Sequence, residues 1–327
     1  MWPLLWQAPL ATTALPPASE CGECHPRQLA GWSASGHREA WTNPLFQAGF
    51  AAEPRPWCAW CHAPTPEMRG EIARNRAWYL WQDPRRDRFG PEPARRDEVA
   101  AADGVSCAVC HQPDGGAVRA PSSARGAPHD TRAEPGLVDG TVCRSCHEFP
   151  MPTWGPNGMT FGDVPMQSTW SEFAAWRDAG GDGTCVSCHL PGGDHDVRGV
   201  HDRDWLRAAV AVEASRVGGV VRFDVRSVGV GHSLPSGDLF RHLTLEVDDG
   251  GGWRVVDRIG RRFEVDRATK SLAEDTSLRP GLPRVVEVSA PRPIAWRLVW
   301  HDGAEHDEER GWVDPATLVA ELNSGET

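Results

Sequence analysis

All ten cysteines of this chain stand in pairs spaced C-x-x-C, and each pair is followed at once by a histidine. The five copies are Cys21-Gly22-Glu23-Cys24-His25, Cys58-Ala59-Trp60-Cys61-His62, Cys107-Ala108-Val109-Cys110-His111, Cys143-Arg144-Ser145-Cys146-His147 and Cys185-Val186-Ser187-Cys188-His189. Two thiols one helical turn apart can form thioethers to the vinyl groups on one edge of a porphyrin. The histidine that follows then lies under the ring as the proximal nitrogen ligand of the iron. A lone C-x-x-C could equally hold zinc or act as a redox dithiol. Five copies, each with its histidine and with no cysteine left over, specify five covalent c-type haems. The cysteines are the attachment points, and His25, His62, His111, His147 and His189 are the proximal ligands.

Five six-coordinate irons need five more ligands. Eight histidines remain: His37, His129, His195, His201, His232, His242, His301 and His306. His129 lies in the loop between the third and fourth motifs. His195 and His201 follow closely on the fifth, and His232 sits in a Gly-rich turn where the chain changes character. These four are candidate distal ligands. His242 falls on the polar face of an expected strand, and His301 and His306 lie near the acidic tail; solvated surface is the expectation for all three. Met151, Met159 and Met166 compete for at most one site, and a Met/His pair there would raise one potential.

The elements that must position these groups read as two different halves. Residues 21–214 are the expected haem domain, too short per cofactor for a core made of side chains, so the porphyrins themselves must form it. Trp32, Trp41, Trp57, Trp60, Trp78, Trp81, Trp154, Trp170 and Trp176 fall here and suit packing on porphyrin faces as well as simple core filling. Helices are expected over Glu71–Gln82, over Thr169–Asp178 behind a Thr169-Trp170-Ser171-Glu172 capping box, and over His201–Val212. Residues 112–140, rich in Pro, Gly, Ser and Asp, read as irregular loop.

From residue 215 to 327 the period becomes two. Val221, Phe223 and Val225 alternate with Arg222, Asp224 and Arg226; Leu243, Leu245 and Val247 alternate with His242, Thr244 and Glu246; Asp248 to Gly252 then makes a turn. Phe263 and Val265, Val286 and Val288, and Trp296, Leu298 and Trp300 continue the pattern. A small β-sandwich without haem is expected, ending in an acidic tail with a short helix over Pro315–Leu322. The fold class is therefore α + β: a mostly helical and irregular multihaem domain followed by a β-sandwich.

The chain's 327 residues carry 45 acidic and 34 basic side chains, a formal charge of −11, which argues against nucleic acid as a partner. No apolar run approaches the ~18 residues of a membrane-spanning helix. Residues 1–20 read as a targeting remnant or disordered N-terminus, because Trp2 to Leu15 is apolar and leads into Pro16-Pro17-Ala18-Ser19, although a basic n-region is missing. Covalent haem attachment takes place outside the cytoplasm, so a periplasmic or extracellular protein is expected.

The haem half resembles the multihaem cytochromes c that include octahaem hydroxylamine oxidoreductases, pentahaem nitrite reductases and the tetrahaem carriers of nitrifiers. The resemblance rests on CGECHPRQLAGWSASGHREAWTNPLF from Cys21 to Phe46, with its W-x-x-S-x-H, and on Gly104-Val105-Ser106-Cys107. It rests also on Met166-Gln167-Ser168-Thr169, on CVSCHLPGGDHDVRGVHD from Cys185 to Asp202, and on Gly231-His232-Ser233-Leu234-Pro235-Ser236-Gly237, like the start of the β-domain that often follows the closing haem. It adds His37, on the segment where the family places a distal ligand, to His129, His195, His201 and His232.

Such motifs occur in both carriers and enzymes, so the resemblance bears on fold more than on activity. Irons filled on both sides by protein exchange electrons but offer no open position, and an electron-transfer cytochrome relaying electrons between redox protein partners is the leading reading. The alternatives are an oxidoreductase with one open haem acting on a small nitrogen compound, and a haem-lined subunit of a redox complex or filament. Against the enzyme stand two departures from the family: no motif ends in lysine, as one does in the nitrite reductases, and the single tyrosine, Tyr79, does not match the position of the hydroxylamine oxidoreductase cross-link.

Overall fold

The computed structural model describes residues 16–52, 58–64, 103–112, 116–124, 126–155, 158–266, 269–303 and 319–327. The helix expected over Glu71–Gln82, Tyr79, the indoles of Trp57, Trp60, Trp78, Trp81 and Trp154, the side chain of Met159, and His306 lie outside them.

The chain begins with helices α1 (Ala18–Gly22), α2 (Pro26–Ser33), α3 (Pro44–Ala52), α4 (Ala59–His62) and α5 (Cys107–His111), followed by strands β1 (Val118–Ala120) and β2 (Thr131–Ala133) and helix α6 (Gly136–Asp139). Then come α7 (Arg144–His147), β3 (Phe149–Gly155), β4 (Gly158–Gln167), α8 (Thr169–Asp178), α9 (Cys185–His189) and α10 (Arg203–Ala208). Eight strands complete the chain: β5 (Val210–Val217), β6 (Val220–Ser227), β7 (His242–Asp248), β8 (Arg254–Asp266), β9 (Thr269–Asp275), β10 (Arg284–Ser289), β11 (Ala295–His301) and β12 (Val319–Glu326). Both helices and sheets are present, in keeping with an α + β class. The chain divides into two compact units, each assembled from two segments: residues 1–142 with 184–198, and residues 143–183 with 199–327.

The first unit carries four of the five motifs, each wound into about one helical turn. The reason the turn stops is legible in the next residues. His25, Ala63, Gln112 and Leu190 each precede a proline, whose ring disfavours helical backbone in the residue before it. All four adopt nearly the same non-helical conformation, φ −118° to −145° with ψ 44° to 60°. In the second, third and fifth motifs the helix therefore ends at the histidine, whereas α1 stops at Gly22, ahead of His25. α9 also has a formed N-terminal cap: the Thr184 hydroxyl accepts from Ser187 N at 3.0 Å, and Thr184 N donates to the Ser187 hydroxyl at 2.8 Å. Residues 112–140 are not wholly irregular, since β1 and β2 pair in parallel and α6 follows. Close backbone approaches complete this unit. Gly104 has φ +55°, and a Cβ there would lie 2.5 Å from the carbonyl oxygen of His37. At that position only glycine gives both the left-handed backbone and the room.

In the second unit two antiparallel sheets, β10-β6-β5 and β12-β11-β7-β8-β9, bury one continuous core. Val221, Phe223 and Val225 come from β6, Leu243, Leu245 and Val247 from β7, and Trp296, Leu298 and Trp300 from β11. Phe223 meets Trp296 edge-on with ring centroids 5.8 Å apart. Each fully buried side chain of this kind contributes roughly 1.5–3 kcal/mol. The expected alternation positions the inward residues of β6 correctly. β7 departs from it: it is the central strand of the five-stranded sheet, and both its faces are buried.

Three expected elements are corrected. The helix expected over His201–Val212 is shorter. Asp202 caps α10 by accepting from Trp205 N at 3.0 Å, the helix ends at Ala208, and Val210 opens β5, where β-branched side chains fit a pleated surface better than a helix. The capping box expected at Thr169 and Glu172 is not formed; Ser168 is the N-cap residue and its hydroxyl donates to Glu172. Of the helix expected over Pro315–Leu322, the described part is strand β12, which pairs with β11 and satisfies backbone groups that an edge would leave open.

Candidate haem-binding sites

Two pairs of histidines in the first unit stand across a gap of the right width for an iron. The ring centroids of His111 and His195 are 6.2 Å apart with planes at 27°, and those of His25 and His129 are 6.5 Å apart at 45°. A metal–imidazole bond of about 2 Å on each side, with each centroid about 1 Å behind its nitrogen, puts trans imidazole centroids about 6 Å apart. The residues present thus fit a metal held between two rings. Each pair joins a motif histidine to a histidine expected as a distal ligand.

Five candidate ligand imidazoles have their Nδ1 held on a backbone carbonyl. His62 Nδ1 lies 2.6 Å from the Ala40 carbonyl oxygen, His111 Nδ1 2.7 Å from that of Arg119, and His189 Nδ1 2.5 Å from that of Arg198. His195 Nδ1 lies 2.9 Å from Gly193 O, and His232 Nδ1 2.8 Å from Ser233 O. A carbonyl only accepts, so each Nδ1 carries the proton and each Nε2 keeps its lone pair for a metal. Burial holds His111 below the usual histidine range, with the nearby charges of His195 and His25 acting in the same direction; neutral imidazole is the ligating form.

The first and third motifs are neighbours. Helices α1 and α5 are in contact, and burial raises the thiols of Cys21 and Cys107, Cys107 to about 11. Trp32 Nε1 donates to Val105 O at 2.8 Å, and Val105 N donates to His37 O at 2.9 Å, so the turn carrying His37 is pinned to the lead-in of the third motif. His62 stacks on Phe46 with centroids 3.8 Å apart, and Phe46 belongs to the cluster of Trp41 and Phe50.

The second unit holds the fourth motif together with His232. Glu148, next to His147, accepts from Ser171 N at 3.0 Å and from the Ser171 hydroxyl at 2.5 Å at the start of α8. One residue further on, Glu172 accepts from Ser233 N at 3.1 Å and the Ser236 hydroxyl at 2.7 Å. Arg261 completes the frame by donating to the carbonyls of Pro165, Met166 and Gly237. The His147 segment and the His232 turn are thereby tied to the same end of one helix. His201 is exposed, ahead of α10, and Met151 is buried beside the fourth motif.

Sequence reasoning missed three things. His242, expected on a solvated face, is fully buried and stacks on His301 with centroids 4.4 Å apart and planes at 3°. The β3–β4 hairpin was hidden by its prolines, which lack a ladder donor and coincide with two irregularities of register at Phe149/Pro150 and Pro150/Pro152. The carbonyls that orient the imidazoles carry no side-chain signature at all.

No protein-family model matches the chain, and comparison with curated proteins finds no match. Among solved structures, the chain is similar to a penta-haem cytochrome c552 from Thermochromatium tepidum, with a TM-score of 0.68 over 95% of this chain and 98% of that one, at 20% sequence identity. The two share a fold. A superoxide reductase superposes with a TM-score of 0.19 over 29% of this chain, too poorly to carry an argument. Among the described residues no helix is long and apolar enough to cross a membrane.

Proposed function

We propose that this protein is an electron-transfer multihaem cytochrome c, carrying five covalent haems c and relaying electrons between redox proteins outside the cytoplasm. The observation that carries the reading is the pairing of His111 with His195 and of His25 with His129 at the separation of trans axial ligands. Bound haem would supply reversible one-electron chemistry. The chain's own residues attach it, ligate it on both faces and tune it through the carbonyls on Nδ1. The ten motif cysteines form the thioethers and the five motif histidines the proximal bonds. His129 would serve the first motif, His195 the third and His232 the fourth, with His37 and His201 as the further distal candidates.

Protein ligands on both sides leave a substrate no position on the iron, which favours a carrier over an enzyme. The contact between the helices of the first and third motifs would set their cofactors side by side, the arrangement that direct exchange requires. The net charge of −11 would steer the surface toward positively charged partners. The two sheets of the second unit would act as a β-sandwich that packs or docks rather than reacts.

The test is the low-temperature electron paramagnetic resonance spectrum of the oxidised protein, recorded alone and with nitrite or hydroxylamine. Low-spin signals from all irons, unmoved by either addition, are expected. A high-spin signal that shifts on addition would overturn the carrier in favour of an enzyme with one open haem.

A further inference from the structure

The turn Asp194–Arg198 contains the one described residue other than glycine with positive φ. Val197 sits at φ +44°, where a β-branched side chain is strained. Such strain persists only where the surroundings over-determine the backbone, and here they do so from both ends. On one side His195 faces His111 across 6.2 Å, with its Nδ1 fixed on Gly193 O at 2.9 Å and its own N–H on Asp194 Oδ1 at 3.1 Å. On the other, Arg198 and His189 exchange two hydrogen bonds: His189 Nδ1–H to Arg198 O at 2.5 Å and Arg198 N–H to His189 O at 3.1 Å. Beneath, the turn is seated on Gly31 of α2. A Cβ there would meet Asp194 Oδ1 at 2.9 Å and the backbone nitrogens of His195 and Asp196 at 3.0 Å each.

We propose that this turn is a two-iron clamp in which Val197 is the positioning residue: one strained turn sets the distal ligand of the third iron and the hydrogen-bond acceptor of the fifth iron's proximal ligand. The inference rests on the haem reading above. A carbonyl that accepts from Nδ1 makes the imidazole a stronger donor to its metal and favours the oxidised state. The Arg198 carbonyl and the His195 ring are separated by two residues whose backbone has no slack. A change that moves one therefore moves the other, and the third and fifth irons should be tuned as a pair.

The test is spectroelectrochemical titration of the matured protein, with the electron paramagnetic resonance signal of each iron followed as a second readout and covalent haem counted by intact mass. His195→Met changes the ligand on the third iron and so marks its signal. In Val197→Gly the side chain is gone and the backbone gains the freedom to leave its one fixed conformation. Two midpoints are expected to rise together, the marked one and one other, with the remaining three unmoved. Val197→Asn, a residue that tolerates the left-handed backbone, is expected to restore both. Should the glycine variant mature with fewer than five haems, Gly31→Ala presses on the turn from the helix side without altering it, and the same two midpoints should shift. Movement of one midpoint alone, of all five, or of none overturns the clamp. Absence of covalent haem from the unaltered protein would instead overturn the haem reading itself.

Discussion

His242 is held in the sheet core with its Nδ1 2.9 Å from the Phe240 carbonyl and its ring flat against His301. Its Nε2 is buried without a hydrogen-bond partner, so a second proton there would be an unpaired charge away from water. Burial, with the charges of Arg258 and His301 acting in the same direction, lowers its pKa to about 4 from an ordinary 6.5. Between those values the unfolded chain binds a proton that the folded chain does not. The stabilisation is therefore complete above pH 6.5 and is lost as pH falls toward 4, in total on the order of 3 kcal/mol. Urea midpoints followed by circular dichroism from pH 7 to pH 4 should show that loss. His242→Leu, which fits the same apolar site without a titrating group, should flatten it. Beside the pair, His301 Nε2 donates to the Thr244 hydroxyl at 2.9 Å. The hydroxyl in turn donates a hydrogen bond to Glu246 at 2.9 Å, and Glu246 pairs with Arg297 at 2.7 Å. This closed polar chain lets a strand read from its alternation as half-solvated lie buried on both faces.

At the scale of elements, α8 does more than its ten residues suggest. Its first turn presents Ser171 to Glu148 behind the fourth motif and Glu172 to the turn that carries His232. Glu172→Ala would leave Ser233 N–H without its acceptor and the Ser236 hydroxyl without one of its partners. A loss of about 1–3 kcal/mol follows from the uncompensated donor alone. Global stability measures that loss. Limited proteolysis, with new cleavage expected within residues 231–237, tests where it falls; cleavage confined to other segments would contradict the placement. The Thr169/Glu172 pattern marked the start of this helix correctly but misassigned its cause. Glu172 accepts from the Ser168 hydroxyl through one oxygen and reaches across to Ser233 and Ser236 with the other, and local pattern cannot reveal partners sixty residues away in the chain. The same limit explains α10 and β12. Short apolar runs such as Ala208–Val212 and Val319–Leu322 suit either helix or strand, and pairing with a neighbouring strand decides.

For the whole molecule, two compact units with different kinds of core imply different dependence on the cofactor. The second unit buries a side-chain core across two sheets, whereas the described apolar cluster of the first is Trp41, Phe50, Ala59 and Ala63. Protein produced without haem attachment is therefore expected to keep its β-sheet circular dichroism and the burial of Trp296 and Trp300, while losing the share of the helical signal that comes from the first unit. Loss of both together would show that the sheets depend on haem as well.

What the residues specified unaided was the chemistry to expect: ten cysteines and five histidines at invariant spacing, with a proline behind four of the motifs and three of those short helices ending at the motif histidine. That much is local, because attachment needs one helical turn and pre-proline strain acts on one residue. The alternation in β6 and β11 was legible for the same reason. The distance of 6.2 Å between His111 and His195, the burial of His242 and the carbonyls on Nδ1 depend on segments far apart in the chain meeting at fixed separations. Backbone acceptors are common to every residue type, and a histidine's spacing in sequence says nothing of the ring it faces. Only the packing of the folded chain selects them.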